Sequence, residues 1–245
     1  MAERTLTEDI KAFGLKQVVS YISKDPDKNI PKLLNWLEKH DKGGSVTNQV
    51  KMIRESISNP ESNWYQLIKS LWTDIDEGVI KSLLVSVVIN DTMIGGPHQV
   101  KIKEQEKCNV PWTILMDPTS ACNLHCTGCW AAEYGNKLNM SLEQLDDIIR
   151  QGKELGVYLY IYSGGEPLVR KKDIITLCER HPECAFLAFT NATLIDEAFT
   201  DEMLRVKNFV PAISVEGFEE ATDFRRGKGT YKALTKAMEI LKRKK

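Results

Sequence analysis

The sequence lacks the features that would assign the chain to a membrane, to a secretory route or to nucleic acid. Its most continuous apolar run, residues 83–89, is far shorter than the roughly 20 residues that a membrane-spanning helix needs. No apolar block follows a basic stretch at the N-terminus, as a secretory signal would require. The 33 basic and 34 acidic side chains leave a formal net charge of -1, so no overall basic field would attract nucleic acid. We therefore expect no membrane span and no nucleic-acid partner.

The composition is that of an ordinary globular protein of one or two domains, with 245 residues, 42% hydrophobic and 27% charged. The chain also has six cysteines. Because three of them fall within one short segment of a chain this large, a reducing compartment and a metal site are favoured over disulfides. We expect a cytoplasmic protein.

The first hundred residues have a helical pattern. Apolar residues recur near a 3.6-residue period in the first segment, at Ile10, Phe13, Val18 and Ile22. Pro31 is expected to open a second helix. Three dipeptides are typical of turns: Asp25-Pro26, Gly43-Gly44 and Asn59-Pro60. We predict four to six short helices in an N-terminal domain, residues 1–100, and expect packing rather than chemistry there.

After Gly95-Gly96-Pro97, β-type runs alternate with helical ones. The predicted strands are residues 113–117, 157–162, 185–190 and 209–215. The predicted helices are residues 141–155, with Ser141 as the N-cap, and residues 170–180, 196–206 and 231–243. Strands that are each followed by a helix indicate parallel β/α units. The pattern therefore predicts an α/β fold in residues 108–245, preceded by the all-helical domain.

Every unusual motif follows the carboxyl end of a predicted strand. In a parallel sheet these ends share one edge, where ligands bind. The motifs are the cysteine segment, Ser163-Gly164-Gly165-Glu166-Pro167, Thr190-Asn191 and Ser214-Val215-Glu216-Gly217. We expect them to form one site.

Cys122, Cys126 and Cys129 have the spacing C-x3-C-x2-C. Three thiolates from one loop suit zinc or an iron-sulfur cluster. A structural zinc site normally has four ligands in two pairs, and no second pair follows, although His125 could serve as a ligand. A 4Fe-4S cluster held by three cysteines leaves one iron free for a small molecule. We favour the cluster, and the alternative is a zinc-stabilised binding module without catalysis.

The string from Cys122 to Cys129, CNLHCTGC, followed by Ser163-Gly164-Gly165-Glu166-Pro167, resembles the radical S-adenosylmethionine (radical SAM) superfamily. The resemblance spans about residues 111–245. It implies a partial parallel (β/α) barrel of radical SAM type, a 4Fe-4S cluster on the three cysteines as metal ligands, and S-adenosylmethionine (SAM). It also implies an enzyme in which one electron, from a donor such as flavodoxin or ferredoxin, breaks the sulfur to C5′ bond of SAM. The resulting 5′-deoxyadenosyl radical would abstract hydrogen from a substrate.

The resemblance also assigns residues to SAM, and none as a catalytic side chain. Gly164, Gly165, Glu166 and Pro167 are similar to the family's GGEP motif, which receives the methionine amino group. The glycines allow close backbone approach to a ligand, and Glu166 supports the loop.

Further SAM contacts are implied by the remaining strand-end loops. Asn191 lies in a turn similar to Thr-Asn-Gly, with Ala192 in place of glycine, so a left-handed backbone is not expected at residue 192. Ser214 and Glu216 resemble the family's Ser-x-Asp-Gly or Ser-x-Glu-Gly segment, whose polar side chains face the ribose and methionine of SAM. The cofactor carboxylate would bind one of two arginines, Arg225 or Arg226. The adenine contact, usually made by an aromatic residue where this chain has Gly128, is expected from Trp130.

About four of the family's usual six β/α units are present. We therefore expect an incomplete barrel and a fragment of a longer enzyme of the SPASM- or twitch-extended type. The alternatives are a site that partner subunits complete and a degenerate scaffold. The substrate is unknown, and similarity to longer family members makes a peptide or protein possible. Simple burial is expected for the other cysteines, Cys108, Cys178 and Cys184.

Overall fold

A computed structural model describes residues 6–40 and 47–244, beginning with a helical part. Four helices come first: α1 (Leu6–Lys24), α2 (Pro26–His40), α3 (Thr47–Ile57) and α4 (Asn63–Thr73). A continuous helical stretch follows, made of α5 (Glu77–Leu84), a π-helical segment (Val85–Gly95) and α6 (Gly96–Glu106). The prediction of four to six helices is therefore confirmed for the described residues.

The predicted turns of this part have different outcomes. Asp25-Pro26 and Asn59-Pro60 separate helices as predicted, whereas Gly43-Gly44 lies outside the described residues. The prediction that Pro31 opens a helix is wrong, because α2 already begins at Pro26. The Asp25 side chain accepts a hydrogen bond from the Lys28 N–H at 3.2 Å and caps that helix, and a proline at the first helical position loses no hydrogen bond.

The predicted change of pattern at Gly95-Gly96-Pro97 is also misplaced, because the helical stretch runs through these residues to Glu106. A Cβ added to Gly95 would lie 2.1 Å from the carbonyl oxygen of Gly156. Gly95 is thus a point of close backbone packing and not a linker. The domain limits of residues 1–100 and 108–245 stay predictions.

The helical stretch Glu77–Glu106 passes a test for membrane-spanning helices by length and composition alone. It has 30 residues, and its most apolar 18-residue window has a mean hydropathy of 1.4. However, 44% of that window is buried inside the protein, and core helices pass the same test. Asn90 and Asp91, which are polar, are among its buried residues. The expectation of no membrane span stays a prediction.

A four-stranded parallel sheet forms the second part and confirms the predicted α/β fold. Its strands are β1 (Ile114–Met116), β2 (Leu159–Tyr162), β3 (Ala185–Thr190) and β4 (Phe209–Ile213), in the order β1-β2-β3-β4. The helices are α7 (Leu142–Glu154), α8 (Lys171–Arg180), α9 (Glu197–Val206), α10 (Glu219–Arg226) and α11 (Thr230–Lys244). Short 3-10 turns occupy Trp130–Tyr134 and Pro167–Arg170. All predicted strands and helices are present, and α10 is additional.

Alternation along the strands places the core on the helix-covered side of the sheet. Phe186 of β3 stacks between Tyr160 and Tyr162 of β2, with ring centroids 5.7 and 5.9 Å apart, and all three are fully buried. The predicted N-cap, Ser141, accepts a hydrogen bond from Gln144 N–H, and the Gln144 side chain completes a capping box. Because Met116, Tyr162 and Ala188 are aligned across the strands, the loops after β1, β2 and β3 begin at one edge.

Candidate functional site

Backbone hydrogen bonds join the loops that follow the strands. Gly165 N–H donates to the Thr119 carbonyl at 3.0 Å, and Glu166 N–H donates to the Ala121 carbonyl at 2.8 Å. Farther along the edge, Ser214 N–H donates to the Thr190 carbonyl at 2.8 Å. The loop after β2 is therefore bonded directly to the loop after β1, and the start of the loop after β4 is bonded to the end of β3.

The two glycines after β2 bring this loop against the start of the cysteine loop, which is defined here as residues 119–129. Gly164 has a φ of +98°, and a Cβ there would lie 2.7 Å from the Thr119 carbonyl oxygen. A Cβ on Gly165 would lie 2.3 Å from the Ala121 carbonyl oxygen. The close approach that the sequence analysis assigned to a ligand is therefore also an approach to neighbouring backbone.

Glu166 is buried, with 1% of its surface exposed, and its carboxylate accepts three hydrogen bonds. Oε1 accepts from Leu168 N–H at 2.9 Å and from the Thr190 hydroxyl at 2.7 Å, and Oε2 accepts from Asn191 N–H at 2.8 Å. Burial raises the pKa of Glu166 above its usual range, and the three donors act in the opposite direction. Glu166 thus ties the loop after β2 to the loop after β3. Pro167 is buried beside it and opens the short 3-10 turn.

The three predicted metal ligands lie on the cysteine loop as free, partly exposed thiols. Cys122 Sγ accepts a hydrogen bond from Leu124 N–H at 3.4 Å. Burial raises the pKa of both Cys122 and Cys126, while the Leu124 donor opposes the shift at Cys122 and the guanidinium of Arg226 opposes it at Cys126. A bound metal would offset the effect of burial, which disfavours the thiolate, because cysteine binds metals in its deprotonated form.

The chemistry of the three thiols can be compared with the needs of a cluster and of zinc. In the described part of the chain, no three His, Cys, Asp or Glu side chains are grouped so that they could hold one metal ion. A zinc ion needs its sulfur ligands about 2.3 Å from one point. In a 4Fe-4S cluster each thiolate binds a different iron, so that the sulfurs need not converge on one point. Three free thiols on one loop are therefore a donor set that fits such a cluster. The zinc site stays an alternative prediction.

A closed ring of side-chain hydrogen bonds joins the cysteine loop to the loop after β3. Asn191 Nδ2 donates to Asn123 Oδ1 at 2.9 Å, and Asn123 Nδ2 donates to the Thr193 hydroxyl at 2.7 Å. That hydroxyl donates to Asn191 Oδ1 at 2.6 Å. The Asn191 amide, which the resemblance assigned to SAM, is thus engaged with protein groups, and sequence analysis did not identify Asn123 or Thr193 as its partners.

The backbone at Ala192 contradicts the sequence analysis, because its φ of 62° is left-handed. Ala192 N–H donates to the Thr190 hydroxyl at 3.0 Å, and its carbonyl accepts from Ile195 N–H at 3.1 Å. The residue is fully buried. The turn therefore has the conformation that a glycine would favour, and contacts on both sides of the residue hold it there.

Glu216 joins the two arginines that the sequence analysis could not rank. Its Oε1 accepts from Arg226 Nε at 3.0 Å and Nη2 at 2.6 Å, and its Oε2 accepts from Arg225 Nη1 at 2.8 Å. Hydrogen bonds from Arg226 and then from Arg225 lower the pKa of Glu216. The Arg225 carbonyl also accepts from Thr127 N–H of the cysteine loop at 2.7 Å. Ser214 is half-buried two residues before Glu216.

An open cleft of about 480 Å³ lies beside the loop after β2, residues 163–167, which is called here the glycine loop. Its walls include Gly164 and Gly165, together with Trp130, Tyr134 and Lys137. The rings of Trp130 and Tyr134 meet edge to face with centroids 5.8 Å apart, and the Trp130 side chain is 59% exposed. The structure therefore places Trp130 at a cavity next to the glycine loop, with a planar surface open to a ligand.

The remaining thiols do not join the site. Cys178 and Cys184 are buried, as predicted, whereas Cys108 is exposed, so the expectation of burial is wrong for that residue. Cys108 lies just after α6, in a segment without regular structure before β1.

Sequence comparison identifies a family that matches the sheet-containing part. The model of the Radical SAM superfamily matches residues 116–245. An uncharacterized protein of Archaeoglobus fulgidus is 35% identical over 133 residues, which are 52% of this chain and 31% of that protein. A GTP 3',8-cyclase of Syntrophomonas wolfei is 30% identical over 135 residues, which are 50% of this chain and 41% of the cyclase. The chain thus matches less than half the length of each relative.

Two solved structures with bound S-adenosylmethionine are partly similar to this chain. Native anSMEcpe with bound AdoMet is 24% identical, with a TM-score of 0.47, over 54% of this chain and 40% of that chain. Streptococcus suis SuiB bound to S-adenosylmethionine is 17% identical, with a TM-score of 0.49, over 94% of this chain and 48% of that chain. The family match itself covers more than half of the sequence and includes the cysteine loop, the glycine loop and the ends of all four strands. The chain therefore belongs to the Radical SAM superfamily.

Proposed function

We propose that this chain holds a 4Fe-4S cluster on Cys122, Cys126 and Cys129, binds SAM beside it, and cleaves SAM reductively. The observation that carries the proposal is the junction of two loops. The glycine loop donates two backbone hydrogen bonds to the start of the cysteine loop, at 3.0 and 2.8 Å. A ligand on the open iron would therefore lie next to the residues that resemble the SAM-binding motif.

When bound, the cluster would supply one electron to the sulfonium of SAM, whose sulfur to C5′ bond would then break to give methionine and a 5′-deoxyadenosyl radical. The protein's own residues bind and orient. The three thiolates fix the cluster position, the backbone at Gly164 and Gly165 bounds the cleft, and Trp130 offers its ring to the adenine.

Charged groups of both signs lie around the cysteine loop. The buried Glu166 carboxylate is near enough to Cys122 to disfavour its thiolate, which is an interaction between like charges. Arg226 compensates at Cys126, where its guanidinium favours the thiolate.

Partners and location belong to the same proposal. The electron would come from a protein such as flavodoxin or ferredoxin. The hydrogen would come from an unidentified substrate, for which a peptide or protein remains our prediction from the resemblance to longer family members. A cytoplasmic location agrees with the reduced thiols that the site requires.

Anaerobic reconstitution with iron and sulfide tests the proposal. We expect about four irons and four sulfides per chain, and a charge-transfer absorbance between thiolate and iron at about 400 nm. Addition of dithionite and SAM should then release 5′-deoxyadenosine, measured by liquid chromatography and mass spectrometry.

Single-cysteine variants provide the matched control. Cys126→Ala should lose most of the iron and the 5′-deoxyadenosine, whereas Cys108→Ala, which removes an exposed thiol outside the loop, should retain both. Equal iron content in the wild type and in a variant with all three loop cysteines replaced by alanine would refute the proposal. One zinc per chain with no bound iron or sulfide would do the same.

A further inference from the structure

The ring formed by the side chains of Asn123, Asn191 and Thr193, called here the amide clasp, is complete without any ligand. Each of its three side chains donates one hydrogen bond within the ring and accepts one, over distances of 2.6 to 2.9 Å. Thr193 N–H adds a fourth bond to Asn191 Oδ1 at 3.0 Å. Bonds closed in this way polarise one another and strengthen the ring.

The amide clasp is fixed to the sheet on one side. Asn191 is buried, with 6% of its surface exposed, and its backbone N–H donates to the buried carboxylate of Glu166. Glu166 also accepts from Thr190, the last residue of β3. Asn191 therefore has a position set by the core of the protein, and Asn123 is bonded to that fixed point.

On the other side, the amide clasp holds the turn that carries the first cysteine. Asn123 lies between Cys122 and Leu124, and Leu124 N–H donates to Cys122 Sγ at 3.4 Å. The amide clasp therefore holds the side chain of the residue that lies between the two partners of this N–H···S hydrogen bond.

We propose that the amide clasp makes Asn123 and Thr193 positioning residues, which order the Cys122 turn before any cofactor binds. This inference rests on the proposed function for what the ordered turn receives. The conformational entropy of the turn is then lost on folding and not on cluster binding, so that cluster retention is stronger. The N–H···S bond it maintains would also raise the reduction potential of a bound cluster.

Thr193 gives the sharpest test because it lies 64 residues after the third cysteine and is not assigned to SAM. Thr193→Val removes the hydroxyl and keeps the side-chain shape, whereas Thr193→Ser keeps the hydroxyl. Asn123→Ala removes the other end of the clasp. Asn136→Ala removes an exposed asparagine close to the cysteine loop in sequence and serves as the control.

The first measurement is amide hydrogen exchange of the cluster-free protein, followed at Leu124 by NMR. We expect exchange to become roughly five to ten times faster in Thr193→Val and in Asn123→Ala, as for the loss of one hydrogen bond. Thr193→Ser and Asn136→Ala should exchange like the wild type. The double variant should show little further increase, because either change alone opens the ring.

The second measurement is iron retained against a chelator after anaerobic reconstitution. Retention should fall by up to about tenfold in Thr193→Val, which is the lower limit of the effect when a direct hydrogen-bond partner of a metal ligand is lost. The midpoint potential of the remaining cluster should become more negative, and Thr193→Ser should restore both values.

The outcomes separate the two proposals. Unchanged exchange at Leu124 in Thr193→Val overturns the amide clasp, even if the iron content falls. Faster exchange with unchanged iron retention and potential overturns its role in cofactor seating. A wild-type chain that takes up no iron and sulfide contradicts the proposed function, whereas exchange at Leu124 still decides whether the clasp orders the turn.

Discussion

At the scale of single residues, Ala192 shows how a chain can have alanine where a left-handed turn favours glycine. A left-handed conformation costs an alanine about 1 to 2 kcal/mol. Its methyl group is fully buried, which contributes about 0.8 kcal/mol, and alanine loses about 0.5 to 1 kcal/mol less backbone entropy than glycine on folding. The opposing effects are of equal size, so the turn tolerates alanine.

This balance predicts the result of two substitutions at residue 192. Ala192→Gly should change the free energy of unfolding by less than about 1 kcal/mol, because relief of strain is offset by lost burial and entropy. Ala192→Val should lower it by more than about 2 kcal/mol, because a branched side chain has neither the backbone freedom nor the space. Urea unfolding followed by circular dichroism measures both. Clear stabilisation by Ala192→Gly would show that the methyl group contributes nothing.

The sequence was sufficient to identify residues that belong to contiguous motifs. Cys122, Cys126 and Cys129 could be named because their spacing alone indicates a metal site. Thr193 could not, since a single threonine in a loop has no local pattern, and its role depends on a contact with Asn123 across 70 residues. Hydrogen-bond partners of this kind require the folded chain.

At the scale of secondary structure, every predicted strand was found, whereas α10 was missed. Its eight residues include one that is buried, Thr222, so there is no apolar periodicity to detect. A weaker signal was present in its charges. Acidic residues occupy the first turn and the basic pair Arg225 and Arg226 the last, which is the arrangement that a helix dipole favours.

The end of α10 allows the two arginines to be ranked for binding the carboxylate of SAM. Arg225 has a side chain 47% exposed and makes one hydrogen bond to Glu216, whereas Arg226 is 15% exposed and makes two. Arg225 is therefore freer to turn to a ligand. Loss of a charged hydrogen bond of about 1.5 to 3 kcal/mol should weaken SAM binding at least about tenfold in Arg225→Met.

The two substitutions should affect stability in the opposite order, so that Arg226→Met lowers the unfolding temperature more than Arg225→Met does. Arg225→Met removes an exposed ion pair, worth about 1 kcal/mol or less, while Arg226→Met removes both hydrogen bonds that Glu216 Oε1 accepts from the less exposed guanidinium. Anaerobic titration calorimetry with SAM and thermal unfolding measure the two effects. An Arg226→Met protein that unfolds like the wild type but binds SAM more weakly than Arg225→Met would reverse the ranking.

At the scale of the whole molecule, the helical stretch Glu77–Glu106 joins the two parts of the chain. Buried Asp91 accepts from Tyr158 N–H at 3.0 Å, and Asn90 Nδ2 donates to the Glu183 carbonyl at 2.6 Å. Burial raises the pKa of Asp91, and the Tyr158 donor opposes this. The sequence analysis placed a change of pattern within this stretch because two glycines and a proline usually mark a loop. It could not show that the glycines lie against another backbone.

The packing of Gly95 against Gly156 predicts that two adjacent glycines respond in opposite ways to alanine. A Cβ on Gly95 would lie 2.1 Å from the Gly156 carbonyl oxygen, whereas the nearest atom to a Cβ on Gly96 is 3.9 Å away. In both cases alanine favours the helix by about 1 kcal/mol.

Gly96→Ala should therefore raise the free energy of unfolding by up to about 1 kcal/mol, which is its helix preference alone. Gly95→Ala must move the helix away from the loop before β2, and it should lower the free energy of unfolding by about 2 kcal/mol or more. Urea unfolding of the two variants and the wild type gives both values. If both alanines stabilise the protein equally, the helical stretch does not pack on the sheet-containing part through Gly95. The side-chain hydrogen bonds of Asn90, Asp91, His98 and Gln99 would then connect the helices to the sheet-containing part.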